Sequence, residues 1–134
     1  MKNILYIFLI FSLASCSSKS FPDSKWENKQ WTLVEILGVP VQTSGLASDA
    51  NLIFDADDQR VSGSGGCNRI FAPYEIGKKN TLKFGEVGAT RMACPNTAFE
   101  NKFLETMKSV RYFQQAGGQL LLKNGEKKVI MKLQ

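Results

Sequence analysis

No histidine occurs among the 134 residues of this chain. Its absence removes Ser-His-Asp triads, Cys-His dyads, His-ligated metals and an imidazole general base together. Cysteine is scarce, with 3 residues, and no two of them form a C-x-x-C pair, the usual form of a dithiol redox motif. Charge of one sign is not massed anywhere: 17 basic against 12 acidic residues leave +5, well short of a nucleic-acid footprint. No nucleic-acid partner, metal or cofactor is therefore expected. What is present is enough for one core and too little for two: 43% hydrophobic residues, 9 Phe and only 22% charged residues place the chain among single folded domains.

The single uncharged apolar run, Ile4 to Ala14, is 11 residues long. A bilayer-spanning helix needs about 20, so the run has the length of a signal-peptide core instead, behind the positive start Met1-Lys2. It ends in Leu13-Ala14-Ser15-Cys16. This segment resembles the lipobox of bacterial lipoproteins, in which the Cys thiol is acylated and the chain is cut just before it. The resemblance implies a signal peptide over residues 1–15, a lipidated Cys16, and a membrane partner reached through that anchor. Residues 16–27 read as a polar tether. Ser17, rather than Asp, follows the anchor. By likeness to enterobacterial lipoproteins, that points to an outer-membrane lipoprotein facing the periplasm, expected as a monomer.

Beyond the tether the pattern is mostly strand. Trp31–Leu37 is rich in β-branched and aromatic residues and stops at Gly38. Leu52, Phe54 and Ala56 alternate with Asn51, Ile53 and Asp55 as in a half-buried strand, Asp57-Asp58 marks a turn, and Gln59–Gly63 returns. Ile70–Ile76 and Thr81–Phe84 flank Gly77–Asn80, and Arg111–Gln115, Gln119–Lys123 and Lys127–Leu133 are split by Gly117-Gly118 and by the hairpin signal Asn124-Gly125. One helix is expected from about Pro95 to Val110, with Thr97 and Glu100 as a capping box and Phe99, Phe103, Met107 and Val110 as its apolar stripe. A weak repeat at an offset of 38 residues aligns Tyr74, Leu82 and Phe84 with Tyr112, Leu120 and Leu122.

Three features could carry chemistry. Ser62-Gly63-Ser64-Gly65-Gly66-Cys67-Asn68 looks like a phosphate loop but lacks both G-K-[ST] and a following helix, so a strand-to-strand corner is the better reading. Cys67 and Cys94 are the cysteines left after lipidation, open to a disulfide, to two unpaired thiols or to a redox pair; an oxidising compartment favours the disulfide. Arg91 is a candidate anion contact, or a structural ion pair with an acid such as Glu86 or Glu100.

The order Trp31-Thr32-Leu33, Gly65-Gly66-Cys67-Asn68, Thr81-Leu82-Lys83-Phe84, Thr90-Arg91-Met92-Ala93-Cys94, Glu100 with Phe103-Leu104, and Gly118 to Leu122 resembles the META/HslJ family of bacterial envelope proteins over residues 28–134. The resemblance implies an α+β fold: a small, strongly bent antiparallel sheet, or cracked β-barrel, with one helix packed against it. It also implies a link to heat-shock response and novobiocin resistance, and no catalytic residues. A non-enzymatic protein in envelope maintenance is the expected function. A small-ligand or lipid binder, or an assembly chaperone for another envelope protein, stands as the alternative.

Overall fold

The structure, a computed structural model, describes residues 26–134. The signal segment 1–15, Cys16 and the tether as far as residue 25 lie outside the described residues. Ten strands and one helix follow in chain order: β1 Gln30–Ile36, β2 Val39–Pro40, β3 Asn51–Asp55, β4 Arg60–Ser64, β5 Arg69–Ile76, β6 Leu82–Phe84, β7 Gly88–Ala89, α1 Ala98–Lys108, β8 Tyr112–Ala116, β9 Gln119–Lys123 and β10 Val129–Leu133. All strand pairings are antiparallel, in the order β6-β5-β4-β3-β1-β10-β9-β8, with β2 on β1 and β7 on β5. This is the α+β fold expected, a bent sheet with one helix.

The sheet curls until its two end strands touch. Thr81, just before β6, bridges to Tyr112 at the start of β8, and the Leu82 amide donates to the Arg111 carbonyl at 2.9 Å. Beyond that contact the seam is open, so the sheet is a nearly closed barrel. Alternation explains what fills it. In β5, Ile70, Ala72 and Tyr74 point inward while Arg69, Phe71, Pro73 and Glu75 point out. Trp31, Leu33, Leu52, Phe54, Leu120, Leu122 and Met131 come from the other strands and are completely buried, as are Phe103 and Met107 from α1. These buried side chains occupy the interior of the barrel.

Trp26 and Glu27, read from sequence as tether, belong to the folded unit. The Trp26 ring is 3% exposed and packs 4.7 Å from Phe54 and 4.8 Å from Phe113, centroid to centroid, while its carbonyl accepts the Trp31 indole N–H at 2.6 Å. An aromatic cluster gains beyond area burial from such tilted and edge contacts. A lone Trp among Ser, Lys and Asp carries no periodic signal, which is why the pattern missed it. The expected repeat is also only partial. Tyr74 opposes Phe84 in the β5–β6 pair, whereas Phe113, not Tyr112, opposes Leu122 in β8–β9. The one-residue slip buries Tyr74 and leaves Tyr112 half-exposed on the outer face.

The helix is shorter than the sequence suggests, starting at Ala98 and ending at Lys108. Thr97 makes no side-chain cap; Asn96 Oδ1 accepts the Ala98 amide instead, at 3.0 Å. Phe103, Met107 and Val110 enter the core as expected, but Phe99 is only half-buried, over the Gly66 corner. Asn124-Gly125 does join two strands, though not as a tight two-residue turn. Asn124 Oδ1 accepts the amides of Glu126 and Lys128, and Lys127 takes the left-handed conformation (φ 62°).

Candidate functional site

The corner between β4 and β5 brings together the Gly-rich segment, residues 90–95 and the start of α1. Asn68, 4% exposed, is its hub. Its backbone amide donates to Glu100 Oε2 and its Nδ2 to Glu100 Oε1, both at 2.7 Å. Its Oδ1 accepts the Met92 amide at 2.6 Å and the Thr90 hydroxyl at 3.1 Å, and its carbonyl accepts the Gly65 amide at 2.8 Å. Thr90 Oγ1 accepts in turn from the Arg69 amide at 3.0 Å. The short asparagine thus ties three segments that are far apart in the chain.

Glu100 is 6% exposed, and both carboxylate oxygens are held by Asn68. Hydrogen bonds to a charged acceptor are the strong kind, and they satisfy a carboxylate that would otherwise be costly to bury. This corrects the two sequence expectations for Glu100: it neither completes a capping box with Thr97 nor pairs with Arg91. Arg91 is exposed and makes no ion pair with Glu86, Glu100 or any other described residue. The glycines fit the carboxylate's approach. A Cβ at Gly65 would sit 2.7 Å from Glu100 Cγ and Oε2, and Gly66 takes φ +104° with the Phe99 ring 3.7 Å from where its Cβ would be. A Cβ at Gly63 would collide with the Asn51 backbone carbonyl.

Cys67 and Cys94 form a disulfide, with Cα atoms 6.3 Å apart and a sequence separation of 27. Asn68 Nδ2 lies 3.5 Å from Cys94 Sγ, so the covalent and hydrogen-bonded ties fasten the same corner. No group of three or more Cys, Asp or Glu side chains suited to a metal occurs among the described residues. The Asn68, Glu100 and Thr90 side chains are engaged with one another, while Arg91 is left exposed at the edge. The arrangement ties the corner together as a clamp.

Two further polar features lie outside the clamp. Asp49 accepts from the Ser44 amide and hydroxyl and from the Gly45 amide, at 2.6 to 3.0 Å, which organises the loop of residues 41–50. These bonds, the Ser44 hydroxyl foremost, lower the pKa of Asp49. Tyr74, buried in the aromatic cluster, donates its hydroxyl to the Glu27 carboxylate, with the Asp55 carbonyl 2.9 Å away. Burial, then the bond to Glu27 and its charge, raise the Tyr74 pKa above the usual 10.0. A surface groove of about 880 Å³ runs beside the clamp, floored by Ile36, Val41 and Phe99, with Val39, Asp49 and Lys102 at its rim.

Comparison with known proteins fits this geometry. The profile of the META domain matches residues 24–134, the whole of the described fold and two residues more. The chain belongs to the META domain family. The family match begins before Trp26, in keeping with that residue's place in the core. Three solved structures share the META fold seen here. An NMR structure of a protein from Burkholderia xenovorans is 23% identical, covers 80% of this chain and 79% of its own, and has a TM-score of 0.58. A second NMR structure is 22% identical over 79% of this chain and 88% of its own, with a TM-score of 0.59. The crystal structure of a DUF4847 family protein from Bacteroides vulgatus is 19% identical over 82% of this chain and 94% of its own, with a TM-score of 0.60. No curated protein matches the chain.

The sequence motifs contain Asn68, Thr90, Met92, Glu100 and both cysteines of the META-domain clamp, but neither Arg69 nor the connections among them. The sequence favours the Cys67–Cys94 bridge, and it places Asn68 only within a strand-to-strand corner. The signal available was a polar residue placed between a glycine pair and a strand, where a buried hydrogen-bonding hub and an exposed turn residue look alike.

Proposed function

We propose that this chain is a lipid-anchored, non-enzymatic protein of the bacterial envelope, whose META domain acts by binding in envelope maintenance under heat or antibiotic stress. The observation that carries the reading is the Cys67–Cys94 bridge. A disulfide suits an exported protein, and it leaves Cys16, at the end of the lipobox-like Leu13-Ala14-Ser15, as the single cysteine for acylation. Several acyl chains on one residue give stable anchoring, since each buried methylene contributes about 0.8 kcal/mol. The clamp supports a binding role over catalysis, because Asn68, Glu100 and Thr90 are engaged with each other and the chain has no histidine. The filled barrel argues against a ligand held in the interior, so binding falls to the surface.

The test is complementation of a strain lacking the gene. Wild-type chain should restore tolerance to heat and to novobiocin, and Cys16→Ala, at equal protein level, should not. Full complementation by soluble Cys16→Ala protein would overturn the anchored reading. A catalytic turnover abolished by one substitution at parental stability would overturn the non-enzymatic one.

A further inference from the structure

The seam where β6 meets β8 concentrates the positive charge of the fold. Residues 75–83 and 111–127, which face each other there, carry six basic side chains, Lys78, Lys79, Lys83, Arg111, Lys123 and Lys127, against Glu75 and Glu126 alone. The rest of the described residues carry 8 basic and 9 acidic side chains, so the seam holds more than the whole net charge of the domain.

These cations share one surface. Lys83 and Arg111 line a groove of about 520 Å³ with Tyr112 and Gly125. Lys127 Nζ stands 5.6 Å from the Tyr112 ring, and Lys123 pairs with Tyr112 across the β8–β9 ladder. Lys78 and Lys79 project from the 3-10 turn Lys78–Asn80, which packs beside β8. The Arg111 guanidinium donates to the Lys108 and Val110 carbonyls at 2.8 and 2.6 Å, which fixes it at the surface beyond α1. None of the six makes an ion pair with a described residue, and all but the half-exposed Lys123 are exposed.

We propose that the seam is a docking face for the anionic phospholipid headgroups of the bilayer that holds the chain. The proposal rests on the lipid-anchor reading for its geometry. Nine residues lie between Cys16 and Trp26, so ten backbone steps give a reach of at most about 33–36 Å. Trp26 packs on Phe113 of β8, so the anchored chain joins the fold at a seam strand, and the seam lies within reach of the membrane surface. Clustered Lys and Arg beside an anionic leaflet each add about fivefold to binding, and a half-exposed Tyr suits the interface.

The experiment uses protein isolated from its native membranes and incorporated into vesicles of phosphatidylcholine alone, or of phosphatidylcholine and phosphatidylglycerol in equal parts. Amine labelling is read residue by residue by mass spectrometry. The proposal expects Lys78, Lys79, Lys83, Lys123 and Lys127 to lose fivefold or more of their labelling in the anionic vesicles. Lys102, on α1 beside the other groove, should be unchanged, and about 0.5 M salt should reverse the protection. Lys83→Gln/Lys127→Gln, melting as the parent does, should weaken the effect about 25-fold. Equal labelling in the two vesicles overturns the proposal. So does equal protection by inorganic phosphate, which would mark a free-anion site, or by an acidic peptide without vesicles, which would mark a protein partner. The intact mass of the same sample reads the anchor separately: an unmodified Cys16 with seam protection intact would sink the anchor reading and still support the face.

Discussion

Removing the Glu100 carboxylate should be among the most damaging single changes to this fold. Glu100→Ala strips two hydrogen bonds, each 2.7 Å long, from Asn68, whose amide and side chain are then left in a corner only 4% exposed. A hydrogen bond to a charged group contributes about 1.5–3 kcal/mol, and orphaning a buried donor costs its full desolvation. The loss should therefore be about 3–5 kcal/mol, against a total stability of about 5–15 kcal/mol for a domain of this kind. In a domain of about 100 residues each kcal/mol moves the melting point by about 4–8 °C, so circular dichroism should record a fall of more than about 12 °C. Glu100→Gln keeps one acceptor but points an amide at a donor, and should lie between. A double-mutant cycle with Asn68→Ala should return a coupling of about 1.5–3 kcal/mol, because each single change already breaks the same pair. If Glu100→Ala melts within about 3 °C of the parent, or the cycle is additive, the clamp does not hold the corner.

Phe103 is fully buried, so Phe103→Ala should cost about 3–5 kcal/mol in denaturant unfolding, while Phe99→Ala, half-buried over the corner, should cost less than half as much. Reducing the Cys67–Cys94 bridge releases a loop of 27 residues and should lower stability by about 3.5 kcal/mol on the chain-entropy account, measured as the shift in the denaturant midpoint. Tyr74 has a folded pKa raised above the unfolded value of 10.0, so its contribution is complete below pH 10 and fades as pH rises further. Tyr74→Phe should be less stable at pH 7 and lose less between pH 9 and pH 11, which parallel melts at the two extremes would reveal. Asp49 has the opposite sign: its pKa is lowered from 3.8, its contribution is present above that value, and the protection factors of amides in residues 41–50, corrected for the slower intrinsic exchange in acid, should fall as pH drops below 3.8.

Strand identity was legible because it rests on local alternation: Leu52 and Phe54, one face of a strand in the sequence pattern, are both completely buried in β3. The helix stripe was legible for the same reason at Phe103 and Met107. What failed was decided by contacts across the chain. Glu100 sits three residues after Thr97, which suits a capping box, yet its carboxylate turns to Asn68, 32 residues away, where two buried donors outweigh one exposed amide. Trp26 gave no local sign of being core, because its neighbours in space are Phe54 and Phe113. Closure of the barrel at Thr81 and Tyr112 is a property of accumulated twist over the whole sheet, and no single segment carries it.

The central claim joins export, anchoring and a clamped, bridged corner in one molecule. The intact mass of the mature protein from native membranes tests it most directly, before and after reduction. The account predicts a chain starting at Cys16, heavier than its sequence by acyl groups, that gains two hydrogens on reduction as the Cys67–Cys94 bridge opens. An unmodified amino terminus at any other residue, or a mass unchanged by reductant, would contradict it.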